Sequence, residues 1–222
     1  MKRNIAIDGP SAAGKSTIAR LCAKELGYKH LDTGAMYRCV GYLSKLKGIA
    51  VDDESALAEM MDQMNLDVDS AGHIYLNNQE VSSEIRTNEM SMRASDVSKL
   101  KRVRERLVAL QQQIASAGGY VLDGRDIGTV VLPDAMLKIF LVASVEARAQ
   151  RRIKEYIEKN IPFDEQEVIR DIEVRDYQDT HRENSPLKKA ADAIEIDTSD
   201  MTIEEVIDEI RGLLKTKSNE EG

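Results

Sequence analysis

Residues 4–17 read Asn-Ile-Ala-Ile-Asp-Gly-Pro-Ser-Ala-Ala-Gly-Lys-Ser-Thr, and this stretch decides the fold. The apolar run 5–7 predicts a buried strand, which ends at residues 8–10 because glycine and proline interrupt regular structure. Apolar residues then recur at helical spacing over residues 18–26, and Gly27 ends that predicted helix. The pattern G-x-x-x-x-G-K-[ST] therefore lies between a strand and a helix, the context in which it indicates a phosphate-binding loop.

The residue types of this loop suit a nucleoside triphosphate. Glycines let the backbone wrap closely around phosphate oxygens, and the N-terminus of the following helix presents free N–H groups to an anion. Lys15 adds a positive charge for the β- and γ-phosphates, and the Ser16 hydroxyl is a ligand for Mg²⁺. The alternative, a chance match in a glycine-rich turn, conflicts with the flanking strand and helix. The predicted ATP-binding residues are Gly9, Pro10, Ser11, Ala12, Ala13, Gly14, Lys15, Ser16 and Thr17.

The composition argues against several other classes of protein. The 222 residues are 42% hydrophobic and 32% charged, enough for a core and for one α/β domain or two modest ones. A net charge of -8 disfavours a nucleic-acid polymer as partner, because phosphate backbones need a basic face. Cys22 and Cys39 fall on apolar helix faces, which predicts buried reduced thiols rather than a disulfide framework or a metal site.

Neither membrane nor export signals are visible. No apolar run approaches the ~20 residues of a membrane span, and the first predicted strand starts too early to leave room for a signal peptide. We therefore expect a cytoplasmic protein with no membrane partner.

Short apolar strands alternate with helices along the rest of the chain. The further predicted strands lie near residues 28–31, 120–122, 137–142 and 193–196. This alternation predicts an α/β fold with a five-stranded parallel sheet flanked by helices. Such sheets bind ligands at the carboxyl ends of their strands, so Asp8, Asp32 and Asp123 are expected to meet in one cleft.

Two segments interrupt this pattern. Residues 66–85 have β character with a turn at Asn77-Asn78, which predicts a small β-rich insert. Residues 150–182 are helical around a break at Ile161-Pro162, which predicts a hinged lid. The core of a single domain would then comprise residues 1–65, 86–150 and 183–215, and the polar tail from Lys215 is predicted to fray.

A second polar site follows the strand at 120–122. Asp123 begins the run Asp-Gly-Arg-Asp-Ile-Gly-Thr, where it is well placed to hold Mg²⁺ through water beside Ser16; a helix cap is the alternative. Arginines cluster further along the chain, at Arg148, Arg151, Arg152, Arg170, Arg175 and Arg182. For any one of these arginines, a solvated surface position is as good an interpretation as a binding role. As a set they predict a phosphate-binding lid, since planar guanidinium groups suit phosphate oxygens.

At these residues the chain resembles the nucleoside monophosphate kinases, and most closely the bacterial cytidylate kinases. The matching motifs are residues 7–11 running into Gly14-Lys15, Asp-Thr-Gly-Ala-Met-Tyr-Arg at 32–38, residues 123–129, and the spacing of Arg175, Asp179 and Arg182. The likeness extends over nearly the whole chain, including the insert. The family often has serine where this chain has Thr33, and the hydroxyl is retained.

The resemblance implies a P-loop kinase that transfers a phosphoryl group from Mg-ATP to CMP or dCMP. It implies that Arg38, Arg125 and Arg182 hold the phosphate of the acceptor. It implies that Ser95, Arg104 and Asp126 bind the cytosine. It implies that Arg175 and Asp179 contact the ribose. Thr33 completes this implied substrate site, and Ser95 and Arg104 are expected on one helix over 92–107. The implied catalytic residues are Lys15, Arg125, Arg151, Arg152 and Arg182, with Ser16 and, through water, Asp123 for Mg²⁺.

Two other functions stay open. One is a different small-molecule kinase on the same fold, acting on UMP, AMP or shikimate. The other is a catalytically silent P-loop interaction module, which the complete set of Lys15, Ser16, Asp123 and arginines argues against. We expect a monomer whose partners are ATP, CMP and dCMP.

Overall fold

A computed structural model of the chain describes residues 3–69 and 72–220. The strands are β1 (Ile5–Asp8), β2 (Lys29–Asp32), β3 (Leu66–Val68), β4 (Ile74–Leu76), β5 (Gln79–Glu80), β6 (Tyr120–Gly124), β7 (Leu137–Val142) and β8 (Ile194–Asp197). The α-helices are α1 (Lys15–Leu26), α2 (Thr33–Leu46), α3 (Glu54–Asp62), α4 (Asn88–Val97), α5 (Lys101–Ala115), α6 (Val145–Glu158), α7 (Glu165–His181) and α8 (Ile203–Glu220). A 3₁₀ turn spans Glu84–Arg86, and one π-helical turn spans Ile127–Val131.

The main sheet has five parallel strands in the order β2-β6-β1-β7-β8, which confirms the predicted fold class. The central strand β1 pairs Ile5 with Val121 on one side and with Leu137 on the other. Its apolar residues are fully buried because helices cover both faces of the sheet. The loop that follows β1 therefore opens at the middle of the carboxyl edge of the sheet.

Two large hydrophobic clusters hold the helices against the sheet. One joins α2, α3 and α5 to the sheet through residues such as Met36, Leu57 and Leu107, and the other joins α1 and α8 to it through Ile18 and Ile210. Both cysteines are free and lie buried within these clusters, as predicted. Burial raises the pKa of each thiol to about 12, so neither is a reactive thiolate at neutral pH.

Gly9 shows why the phosphate-binding loop needs glycine at this position. Its φ is +150°, and a Cβ atom built on it would lie 2.1 Å from the carbonyl oxygen of Leu141 on β7. A larger residue would push the loop away from the sheet. The start of the loop is therefore fixed by direct backbone packing against β7.

The predicted insert is a three-stranded antiparallel sheet in the order β3-β4-β5. Asn77 and Asn78 form its turn with φ values of 50° and 67°, the left-handed conformation that asparagine tolerates. Ile74, Leu76 and Ile85 are buried in the same cluster as α2 and α3. The insert is therefore packed on the core.

Helices α6 and α7 form a hairpin with a hydrophobic cluster of its own. Ala149, Val168 and Ile172 are buried between the two helices, separately from the two large clusters. The connection spans residues 159–164; Asn160 in it has a φ of 52°, and it includes the predicted break at Ile161-Pro162. Among the described residues, no helix has both the length and the apolar character needed to cross a membrane.

Two sequence predictions were wrong in detail. The single helix over 92–107 is two helices, because α4 ends at Val97 and α5 begins at Lys101. In the gap, the Ser98 hydroxyl donates to the Ser95 carbonyl and so competes with a helical hydrogen bond. The tail does not fray at Lys215, since α8 continues to Glu220 even though Thr216, Ser218 and Asn219 have low intrinsic helix propensity.

Candidate active site

A cleft of about 1170 Å³ contains almost all of the predicted site residues. Its walls come from residues 11–18, the start of α2, the insert, α4 and the α6–α7 hairpin. Gly9 and Pro10 do not line it; Gly9 packs on β7, and the Pro10 carbonyl accepts a 2.5 Å hydrogen bond from Lys15 Nζ. Residues 11–17, by contrast, line the cleft as predicted for a phosphate-binding loop.

Lys15 is buried in the lining of this cleft. Burial, and next the positive charge of Arg125, lower the pKa of Lys15 well below its ordinary value. Asp123, Asp179 and Asp8 oppose this shift without cancelling it. An anion bound in the loop would favour the charged ammonium, so this lysine suits a phosphate ligand.

Ser16 and Asp123 meet across the sheet edge as predicted. Ser16 Oγ donates to Asp123 Oδ2 at 2.6 Å, and His30 Nε2 lies 2.7 Å from Asp123 Oδ1. Burial alone would lower the pKa of His30, but the hydrogen bond and the negative charge of Asp123 raise this pKa overall. Sequence reasoning gave His30 no role, yet the two-residue period of β2 places it on the same face as Asp32.

The same pair offers oxygen ligands to a cation. A hydroxyl and a carboxylate are the side-chain groups that Mg²⁺ prefers. Among residues 3–69 and 72–220, no three His, Cys, Asp or Glu side chains are grouped as a metal site would require. Ser16 and Asp123 therefore fit a cation whose remaining ligands come from phosphates and water, and they do not form a complete protein cage.

The loop after β6 is held in place by Asp8. Its two carboxylate oxygens accept hydrogen bonds from the backbone N–H groups of Ile127, at 2.8 Å, and Gly128, at 2.7 Å. Burial raises the pKa of Asp8 to about 6, and the two backbone bonds oppose that shift. Asp8 thereby positions the neighbouring Arg125 and Asp126.

Thr33 also holds the end of β6 and the loop after it in place. Its hydroxyl donates to the Asp123 carbonyl oxygen at 2.7 Å, and it would lie only 2.6 Å from a Cβ atom at Gly124. The hydroxyl that the sequence assigned to the substrate is thus bonded to the backbone, and it fixes the start of α2 against β6.

A buried group of opposite charges lines part of the cleft. Arg104 donates from Nη2 to Asp126 Oδ2, and Arg182 Nη2 lies 3.8 Å from Asp126 Oδ1. All three side chains are buried. Ser95 Oγ donates nearby to Gln178 on α7 at 2.7 Å. The structure thus brings together the residues predicted to read a base, from α4, α5, the β6 loop and the end of α7.

Further arginines crowd the same cleft. Arg38 Nη2 donates to Asp32 at 2.8 Å, and Arg125 Nε donates to Asp179 at 2.6 Å. Burial, and next the positive charge of Arg125, lower the pKa of Arg175 to about 10. The buried Nε atom of Arg175 makes no hydrogen bond to the described residues. This excess of buried positive charge suits a bound polyanion.

The arginines of α6 do not act as one set. Arg148 is buried away from the cleft, where it pairs with Asp176 at 2.6 Å and donates to the Ser11 carbonyl at 3.2 Å. Arg151 donates to the Thr198 hydroxyl at 3.1 Å, and Arg152 lies 3.7 Å from Glu155. Arg151 and Arg152 line the cleft. The predicted phosphate-binding role is therefore wrong for Arg148, which ties α6 to α7.

Several cleft residues were not predicted from the sequence. They are His30, Tyr37, Arg86 and Ser98. Gln178 on α7, which accepts a hydrogen bond from the cleft residue Ser95, was not predicted either. Tyr37 lies within the motif at 32–38, one helical turn after Thr33. Residues four apart share a helix face, so this spacing could have predicted that Tyr37 faces the same site as Thr33. Arg86 comes from the 3₁₀ turn behind the insert, where no local pattern marks it.

Comparison with known proteins identifies close relatives. A family model described as "Cytidylate kinase" matches residues 5–216. A curated cytidylate kinase of Lactobacillus gasseri is 48% identical over 216 residues, which are 96% of this chain and 94% of that protein. A cytidylate kinase of Streptococcus pneumoniae is 47% identical over 211 residues, 93% of this chain and 95% of that protein.

Solved structures show a similar fold at much lower identity. A gluconokinase from Sinorhizobium meliloti superposes with a TM-score of 0.52 at 14% identity, over 98% of this chain and 94% of that one. At such identity the likeness concerns the fold alone.

Proposed function

The chain belongs to the cytidylate kinase family, and from this we propose that it transfers the terminal phosphoryl group of ATP to CMP and dCMP, giving ADP with CDP or dCDP. The observation that carries the choice of acceptor is the buried group of Arg104, Asp126 and Arg182. It places donors and an acceptor side by side in the lining of the cleft. The phosphate-binding loop lies elsewhere along the same cleft.

The base is proposed to bind at that buried group. Cytosine presents an exocyclic amino donor beside the ring acceptors N3 and O2. Asp126 would accept from the amino group, while Arg104 would donate to the ring acceptors, with Ser95 alongside. Uracil reverses two of these groups, so it would leave both buried charges badly paired.

The phosphate and ribose of the acceptor are proposed to bind among the crowded arginines. Arg38, Arg125 and Arg182 would hold the phosphate, and Arg175 with Asp179 would contact the ribose. The lowered pKa of Arg175 and its unpartnered Nε atom support an anionic ligand here. In the free chain, Arg38 and Arg125 are occupied by Asp32 and Asp179, so both side chains are already ordered.

Catalysis would rest on alignment and charge neutralisation. The attacking oxygen of a nucleoside monophosphate is already ionised at neutral pH, so no strong general base is needed. Lys15, Arg125 and Arg182 would stabilise the charge on the transferring phosphoryl group, together with Arg151 and Arg152 from α6. Ser16 and Asp123 would hold Mg²⁺, which when bound neutralises charge on the triphosphate oxygens.

We further propose that the α6–α7 hairpin, within residues 150–182, is a lid on the core, and that residues 66–85 form an insert on the acceptor side. The separate hydrophobic cluster of the hairpin supports its movement as a unit. Lid closure would exclude water, which would otherwise hydrolyse ATP.

A substrate panel tests the proposal. Formation of ADP is followed by a coupled assay with ATP and, in turn, CMP, dCMP, UMP, AMP and shikimate. Turnover that is fastest with CMP and dCMP is expected. Equal use of UMP would replace the cytidylate assignment with a broader pyrimidine kinase, and absence of turnover with every acceptor would indicate a silent P-loop module.

A further inference from the structure

The Tyr37 hydroxyl is buried without a hydrogen-bond partner. Tyr37 lies on α2, its exposure is 8%, and its hydroxyl oxygen makes no hydrogen bond to any described residue. A buried hydroxyl without a partner costs stability, so native proteins rarely keep one without a reason. Phenylalanine would fill the same volume without that cost. The hydroxyl therefore needs a partner other than the side chains around it.

The surroundings of this hydroxyl are those of the base site. Tyr37 lines the cleft, and the Arg104 guanidinium carbon lies 5.5 Å from the centroid of its ring. Burial raises the pKa of Tyr37 to about 12, and the charges of Arg104, Asp126 and Arg182 act on it as well. At neutral pH the hydroxyl stays protonated, so it can both donate and accept a hydrogen bond.

Two further nitrogen atoms of the same group make no hydrogen bond to the described residues. They are Arg104 Nε and Arg182 Nη2, and both are buried. Three unsatisfied polar atoms on neighbouring side chains, all in residues that line one cleft, point to a shared ligand. A flat heterocycle with several polar atoms along its edge could satisfy such a group, whereas an isolated defect in packing would not be repeated three times.

We propose that Tyr37 is a further acceptor-binding residue, whose hydroxyl hydrogen-bonds to the polar edge of the pyrimidine base. This inference rests on the proposed function, since it needs CMP as the acceptor. The ring of Tyr37 lies near the Arg104 guanidinium, where a cation–π contact helps to keep that side chain in place. The hydroxyl then adds a neutral hydrogen bond to the charged ones from Arg104 and Asp126.

Tyr37→Phe tests the inference, with Tyr42→Phe as a matched control. Tyr42 lies on the same helix but outside the cleft, packed against the same hydrophobic cluster. In Tyr37→Phe, the KM for CMP and its Kd by calorimetry should rise about 3- to 10-fold, as expected for one neutral hydrogen bond. The kcat should change less than about twofold, and the Tm of the free protein should be equal or higher. Tyr42→Phe should leave KM and Kd unchanged.

A merely structural tyrosine would give the opposite pattern. An unchanged Kd for CMP in Tyr37→Phe would overturn the inference, whatever happens to the Tm. Cytidine separates base from phosphate, because Tyr37→Phe should weaken cytidine binding by the same factor as CMP binding. If only CMP binding weakens, the hydroxyl serves the phosphate and the inference is wrong. Failure of the proposed function is distinguishable, because the wild type would then not phosphorylate CMP at all.

Discussion

Arg125 donates from Nε to Oδ2 of Asp179 across 2.6 Å, and this bond joins the loop after β6 to helix α7. Burial alone would raise the pKa of Asp179, but the neighbouring Arg125 guanidinium lowers this pKa overall. Arg182 lies 4.0 Å from the other carboxylate oxygen. The proposed acceptor site is therefore built jointly by the core and the proposed lid, and its shape depends on where α7 lies.

Removal of the Asp179 charge should damage the acceptor site selectively. In Asp179→Asn, Arg125 and Arg182 lose a buried counter-charge, which is a strongly destabilising change for the group. We expect kcat/KM for CMP to fall about 10²-fold, with the KM for ATP changed less than about threefold. Asp171→Asn is the control, because Asp171 lies on α7 and bonds to Asn88 in an exposed setting. An increase in KM for ATP as large as the increase in KM for CMP would argue against an acceptor role for Asp179.

Lys15→Ala should lower the rate of catalysis while leaving the fold intact. We expect kcat to fall at least ~10²-fold through lost stabilisation of transition-state charge. Because burial lowers the pKa of Lys15, the free protein should keep or gain thermal stability, as measured by calorimetry. Lys24→Ala, at an exposed position of α1, should change neither quantity. An unchanged kcat in Lys15→Ala would refute the phosphate-loop assignment.

The choice of base should depend on Asp126. The wild type should prefer CMP over UMP by at least ~10²-fold in kcat/KM, because uracil leaves two buried charges without partners. Asp126→Ala should erase most of that preference, mainly by lowering the rate with CMP. Steady-state kinetics with both acceptors measure it, and the exposed Asp134→Ala serves as control. A mutant that keeps the wild-type preference would mean that cytosine is read elsewhere.

Stability should depend on pH through Asp8. Burial raises its pKa from 3.8 to about 6, so the folded chain holds this proton more tightly than the unfolded chain. The stabilisation from protonation is fully present below about pH 4 and is lost as pH rises through 6. The free energy of unfolding of the wild type, relative to Asp8→Asn, should fall by about 3 kcal/mol over that range. Denaturant titrations at several pH values measure the difference, and a flat profile would contradict the prediction.

The proposed lid should be open to protease in the free chain. Its tip carries exposed apolar side chains, among them Ile157 and Phe163. Limited proteolysis should cut between about residues 150 and 180, and a bisubstrate analogue should suppress the cuts. Cleavage at the same rate in both states would remove the lid proposal.

The sequence predicted the sheet and the meeting of the site loops for a clear physical reason. Buried parallel strands read as short apolar runs, and their following loops must share one edge. It missed the contacts of Asp8 with Ile127 and of His30 with Asp123, because they depend on which strands are neighbours. Local periodicity does not carry that information. The break between α4 and α5 was missed because the apolar pattern continues across it, although Leu100 has an extended backbone there.

The position of β1 at the centre of the sheet has a consequence for synthesis on the ribosome. Both neighbours of β1 lie in the second half of the chain, and Asp8 lies 119 residues before Ile127, to whose backbone it bonds. At about 5–20 residues per second, β1 leaves the ribosome on the order of ten seconds before its partners are made. During that interval the nascent chain carries an unpaired apolar strand, a natural target for chaperones. The ability to transfer phosphate would then appear abruptly, near the end of translation.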